Sequence, residues 1–122
     1  MSSEKKVCVV TGAAGGIGTA IVKKFYDNGY DVVMLDVAGE KLQKNMLDGG
    51  YDSNRVCYYI MDLSQEDQVK DVVAKILADK GRIDALVTPA SIVGKYNPTV
   101  EYSFANFKRI YEINVFGTFL MM

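Results

Sequence analysis

Four glycines fall within the run Thr11-Gly-Ala-Ala-Gly-Gly-Ile-Gly18, between the apolar stretch VCVV and the amphipathic stretch TAIVKKFYDNG. A tight turn needs one or two glycines; Gly12, Gly15, Gly16 and Gly18 together leave a length of main chain bare. Where such a loop ends a strand and opens a helix, the first helical N–H groups lack intrahelical partners and the dipole presents its positive end. A phosphate can then rest directly against the backbone. A phosphoryl-transfer loop would place Lys and then Ser or Thr after the last glycine, whereas Thr19 and Ala20 follow Gly18 and the next Lys is Lys23. The spacing GxGxxG does not fit from either Gly12 or Gly16.

Asp36 closes the second apolar run, 18 residues beyond Gly18. A carboxylate there can accept both hydroxyls of an adenosine ribose, and it can equally cap a strand-end turn. It would repel a 2'-phosphate, and neither the glycine loop nor Val37 supplies a compensating Arg or Lys. NAD(H) is therefore expected over NADP(H). The sequence contains no histidine, and its two cysteines, Cys8 and Cys57, form no CxxC. Structural zinc and His-dependent nucleophilic chemistry are excluded within these residues, and no metal site is expected. Both cysteines read as small buried apolar side chains.

The elements that position the loop and Asp36 follow from periodicity. Residues 6–10, 31–35, 55–60 and 84–88 read as strands, with the continuous apolar character of strands covered on both faces. A helix from Gly16 to Asn28 carries Ile17, Ile21, Val22 and Phe25 on one stripe and is turned out at Gly29. A weaker helix spans Glu40 to Leu47. The third starts at Ser64, with Asp67 in a capping-box-like position, and carries Val69, Val72, Val73, Ile76 and Leu77 as far as Gly81. A loop with Pro89 and Pro98 leads to a last helix from about Ser103. Alternating strands and crossover helices imply right-handed βαβ units and a parallel sheet, so the class is α/β.

The 122 residues suit one domain, 49% hydrophobic and 24% charged, with net charge -1 and pI near 5.4. That balance gives no electrostatic reason to expect nucleic acid or an anionic membrane as partner. The start MSSEKK is polar and no apolar run approaches the roughly 20 residues of a spanning helix, so the expected location is cytoplasmic.

The pattern Thr-Gly-x-x-x-Gly-Ile-Gly resembles the cofactor loop of the short-chain dehydrogenase/reductase family. The resemblance implies a Rossmann-type three-layer sandwich with a four-stranded parallel sheet ordered 3-2-1-4. Residues 1–122 would be a single incomplete domain, truncated relative to the family. It implies that Gly12, Ala14, Gly16, Ile17 and Gly18 hold a pyrophosphate, and that Asp36 and Val37 meet the adenosine ribose. Asp62 and Leu63, just after the third strand, resemble the family's adenine-binding pair; alone they could form a helix-entry turn. Thr88 and Ala90 fall in the loop after the fourth strand, where Thr-Pro-Ala-Ser stands in place of the family's Asn-Asn-Ala-Gly. The segment INVFG makes Asn114 the counterpart of the asparagine that helps hold a water in the family's proton relay.

The family's catalytic Ser and Tyr-x-x-x-Lys do not occur, since no tyrosine here is followed four residues later by Lys. Tyr51 precedes Arg55 at that spacing but falls in a surface loop. Three readings stay open: an NAD-binding portion without turnover of its own, half of a split enzyme completed by another chain, or a scaffold that kept the fold. An S-adenosylmethionine methyltransferase is disfavoured by the loop. The apolar end INVFGTFLMM would be buried in another chain, folded back over the open sheet edge or left as an aggregation hazard, and self-association through the last helix or the fourth-strand edge is expected.

Overall fold

The computed structural model describes residues 5–89, 104–112 and 121. Its elements run β1 (Val7–Thr11), α1 (Gly16–Asp27), β2 (Asp31–Asp36), α2 (Gly39–Asp48), β3 (Val56–Ile60), α3 (Glu66–Lys80), β4 (Ala85–Val87) and α4 (Phe104–Tyr111). The strands pair in parallel in the order β3-β2-β1-β4, so the expected class and strand order are both observed. Asp84 sets the register of the last pair, its N–H and carboxylate exchanging 2.8 Å hydrogen bonds with the carbonyl and N–H of Val7.

Side chains alternate across the sheet, and each face has its own core. Cys8, Val10, Val32 and Met34 pack with Val22 of α1 and Leu42 of α2. Val7, Val9, Val33 and Leu35 pack on the other face with Val69, Val72 and Ile76 of α3, and Met121 joins them. The last described residue is thus folded back onto the sheet. Leu42 is fully buried. Leu42→Ala removes these buried contacts and is expected to cost about 3 kcal/mol, read as a lower urea midpoint at unchanged slope.

Burial departs from the sequence reading where the sheet ends. Ile17, assigned to the buried stripe of α1, is 73% exposed, because the first turn of the helix projects past the strand ends and has no sheet beneath it. Leu77 likewise lies at the flank of α3 rather than over the sheet and is 46% exposed. β3 is an edge strand, so its central residues are half-buried and Ile60 is exposed, not covered on both faces. The start of α3 also differs. Gln65 occupies its N-cap position without a side-chain hydrogen bond, since the Ser64 hydroxyl is used elsewhere. Cys8 is buried and Cys57 half-buried, both free, and burial pushes the Cys8 thiol up to about 11.

The N-terminal edge of the sheet is held by charge. Asp31 is buried beside Lys80 Nζ at 3.5 Å and Arg55 Nε at 3.8 Å. Arg55 also donates to the carbonyls of Tyr26 and Tyr30 and lies 4.0 Å over the Tyr26 ring. Tyr51 lies in a loop, half-buried, its ring meeting Tyr26 edge-on at 4.7 Å. Among the described residues no helix is long and apolar enough to cross a membrane.

Candidate functional site

The opposite edge, where the strands end, carries the glycine loop, Asp36 and Asp62. Thr11 ends β1, and Gly12 reverses the chain at φ 66°, a conformation that a Cβ would strain. Gly18 then packs on that turn: a Cβ there would overlap the Gly12 carbonyl oxygen and come within 2.8 Å of Ala13 Cα. The helix start is thereby drawn against the strand end. At Gly16 a Cβ would meet nothing within 4 Å, so this side of the loop is open.

The loop's amides divide into two sets. Ala13 N–H donates to the Leu35 carbonyl at 3.2 Å, Ala14 N–H to Asp36 Oδ2 at 3.0 Å and Gly15 N–H to the Gly12 carbonyl at 3.2 Å. The N–H groups of Gly16, Ile17 and Gly18 precede the first available helical acceptor and have no partner among the described residues. They converge at the positive end of α1, with no side chain at Gly16 or Gly18 to obstruct them. Such a cradle suits an oxyanion of phosphate size. Thr11 Oγ1 is also buried there without a hydrogen-bond partner.

Asp36 does two things at once. Its Oδ2 accepts Ala14 N–H and its Oδ1 accepts Ala38 N–H, each at 3.0 Å. A carboxylate has about four lone-pair sites, so two remain for hydroxyl donors. Val37 beside it is exposed. The residues fit a dinucleotide: a cradle for phosphate and a fixed carboxylate next to it.

Asp62 follows β3. Its Oδ1 accepts the Ser64 N–H at 2.9 Å and the Ser64 hydroxyl at 2.7 Å, an Asx turn that takes the serine away from helix capping. Arg109 of α4 donates to Ser64 Oγ at 2.9 Å and places its guanidinium 3.8 Å from Asp62 Oδ2. Burial alone raises the Asp62 carboxyl, but the Ser64 hydroxyl, the Ser64 N–H and Arg109 outweigh it and hold it below the usual carboxylate range. Leu63 is buried in the α3-side core, so its side chain supports the turn.

A depressed carboxyl stabilises the fold fully above the unfolded-chain value of 3.8, and that contribution is lost as pH falls through the lower folded value. The gap in unfolding midpoint between the protein and Asp62→Asn is expected to be constant from neutral pH to about 5 and to close below about 4. Thermal melts across that range check it.

Gly12, Ala14, Gly16, Ile17, Gly18, Asp36, Val37, Asp62 and Leu63 all gather along this edge, and Thr88 lies half-buried just beyond β4. Ala90 and Asn114 lie outside the described residues. Tyr51 sits by the C-terminal end of α1, far from this edge. Four residues that sequence reasoning did not select belong to the site's frame: Thr19, Asn45, Ser64 and Arg109. Ser64 had a signal, its place two residues after an aspartate; the reach of Arg109 across 45 positions to Ser64 had none.

Comparison with known proteins gives the same outline. A family model described as short chain dehydrogenase matches residues 6–122. Zerumbone synthase from Zingiber zerumbet is 37% identical over 123 residues, covering 100% of this chain and 46% of that protein. A solved NAD+-bound xylitol dehydrogenase superposes with TM-score 0.87 at 33% identity, covering 95% of this chain and 45% of that one. ElxO with NADP bound superposes with TM-score 0.89 at 28% identity, covering 97% and 48%. The chain thus spans less than half the length of these relatives.

Proposed function

Since the chain belongs to the short chain dehydrogenase family, we propose that it forms the NAD(H)-binding portion of an oxidoreductase interconverting an alcohol and a ketone. One observation carries this reading: the unpartnered amides of Gly16, Ile17 and Gly18 converge beside the fixed carboxylate of Asp36. In the proposed complex those amides hold the pyrophosphate and the free lone pairs of Asp36 accept the adenosine ribose hydroxyls. Val37 lies beside that ribose, Asp62 borders the adenine with Leu63 supporting its turn from the core, and Thr88 and Ala90 border the nicotinamide side. The dinucleotide supplies hydride transfer when bound. The chain's own residues orient it, and Asn114 is the proposed member of the proton-relay shell.

NAD(H) is favoured over NADP(H) by Asp36, whose negative charge would face a 2'-phosphate with no Arg or Lys in the glycine loop to offset it. The relatives include proteins solved with each cofactor, so the preference rests on that residue. Since none of the tyrosines here begins a Tyr-x-x-x-Lys motif, residues 1–122 alone are expected to bind without turnover. Self-association is supported by β4, which among the described residues pairs on one side only, and by Phe104 of α4, 76% exposed. Sedimentation as a monomer at micromolar concentration would contradict it.

Calorimetric titration with NADH and NADPH tests the reading. Saturable NADH binding, with NADPH weaker by at least about tenfold, is expected. No heat and no thermal shift with either ligand would overturn it in favour of a scaffold.

A further inference from the structure

The carbonyls of the glycine loop are tied back by two side chains that no sequence motif marks. Thr19 Oγ1 lies 2.7 Å from the Gly15 carbonyl oxygen and 3.3 Å from that of Ala13. Asn45, on α2, donates from Nδ2 to the Ala14 carbonyl at 3.4 Å and to Thr19 Oγ1 at 3.2 Å. The bonding roles are compatible. The single hydroxyl proton of Thr19 goes to the nearer carbonyl, that of Gly15, which leaves its lone pairs to accept from the Asn45 amide.

Across a trans peptide, the carbonyl of one residue and the N–H of the next point in opposite directions. The Ala14 N–H is fixed by Asp36, to which it donates at 3.0 Å. Holding the Ala14 carbonyl turns the Gly15 N–H toward the Gly12 carbonyl, where it bonds at 3.2 Å. Holding the Gly15 carbonyl turns the Gly16 N–H outward, where it has no partner in the protein. Glycine planes flip easily, and a flipped plane would put a carbonyl oxygen where an anion is to sit.

We propose that Asn45 and Thr19 act as a clamp that fixes the peptide planes of residues 14–16 so that the Gly16 amide faces the pyrophosphate. They are positioning residues, since neither needs to touch the ligand. The inference rests on the dinucleotide reading given above.

The test compares ADP-ribose, which carries a pyrophosphate, with adenosine, which does not, on the intact protein and on Asn45→Leu and Thr19→Val. Each variant is expected to weaken ADP-ribose about three- to tenfold while leaving adenosine within about twofold. The double variant is expected to lose less than the product of the single losses, because both act on one network. Thr19→Ser, which keeps the hydroxyl, is expected to retain affinity. Folded variants that bind ADP-ribose like the parent, or that lose both ligands equally, would overturn the clamp. If Asn45→Leu does not fold, the near-isosteric Thr19→Val decides alone. Failure of the parent protein itself to bind ADP-ribose would overturn the dinucleotide reading and the clamp with it, an outcome distinct from unaffected variants.

Discussion

Gly18→Ala is expected to lower the thermal unfolding midpoint by roughly 10 °C, whereas Gly16→Ala is expected to leave it within a degree or two. The added methyl is the same; its surroundings differ. At Gly18 it would occupy the space of the Gly12 carbonyl and crowd Ala13 Cα, both main-chain atoms in a turn pinned to β2 through Leu35 and Asp36. The start of α1 must then lift from the strand end, at a cost of about 3 kcal/mol. At Gly16 the methyl enters open space. That space is where the proposed pyrophosphate rests, so Gly16→Ala is expected to keep the fold and weaken NADH at least about tenfold. Scanning calorimetry and NADH titration on the two variants separate these effects. A Gly16→Ala protein with parental NADH affinity would show that the cradle is not the ligand site.

Asp36→Ala is expected to weaken NADH about a hundredfold and to narrow or reverse the preference over NADPH. The carboxylate contributes twice. It would accept the ribose hydroxyls with its free lone pairs, and it holds the Ala14 and Ala38 amides from which the loop takes its shape. Hydrogen bonds to a charged acceptor are worth about 1.5–3 kcal/mol each, so losing the ribose contacts alone reaches that magnitude. Removing the negative charge also removes the repulsion of a 2'-phosphate. NADPH should therefore lose less affinity than NADH, or gain. Parallel titrations check the ratio; equal losses for both cofactors would mean that Asp36 supports the loop without reading the ribose.

The parts of this site that stand out in the sequence are those whose residue types are costly elsewhere. Clustered glycines destabilise a helix start unless something needs the bare backbone, and an aspartate closing an apolar strand must find donors. The strand order follows from alternation of short β-branched runs with helical segments, which leaves few topologies. Ile17 shows where periodicity fails: the stripe gives a helix its apolar face but not the point at which the sheet beneath stops. Ser64 shows competition between two local patterns, a helix cap and an Asx turn, in which the half-buried aspartate won the hydroxyl. Asn45 is invisible for another reason. Its partners lie 26 and 31 positions away, and which loop carbonyl a helix side chain reaches depends on how α2 crosses the sheet.

Asp36 is a splint between two turns, one after β1 and one after β2. Each turn alone would fluctuate, but a single rigid carboxylate joining their amides makes the mouth of the site one stiff piece. The disorder that a visiting molecule would otherwise have to quench is already removed when the chain folds, so little of its adhesion is consumed in tidying the host.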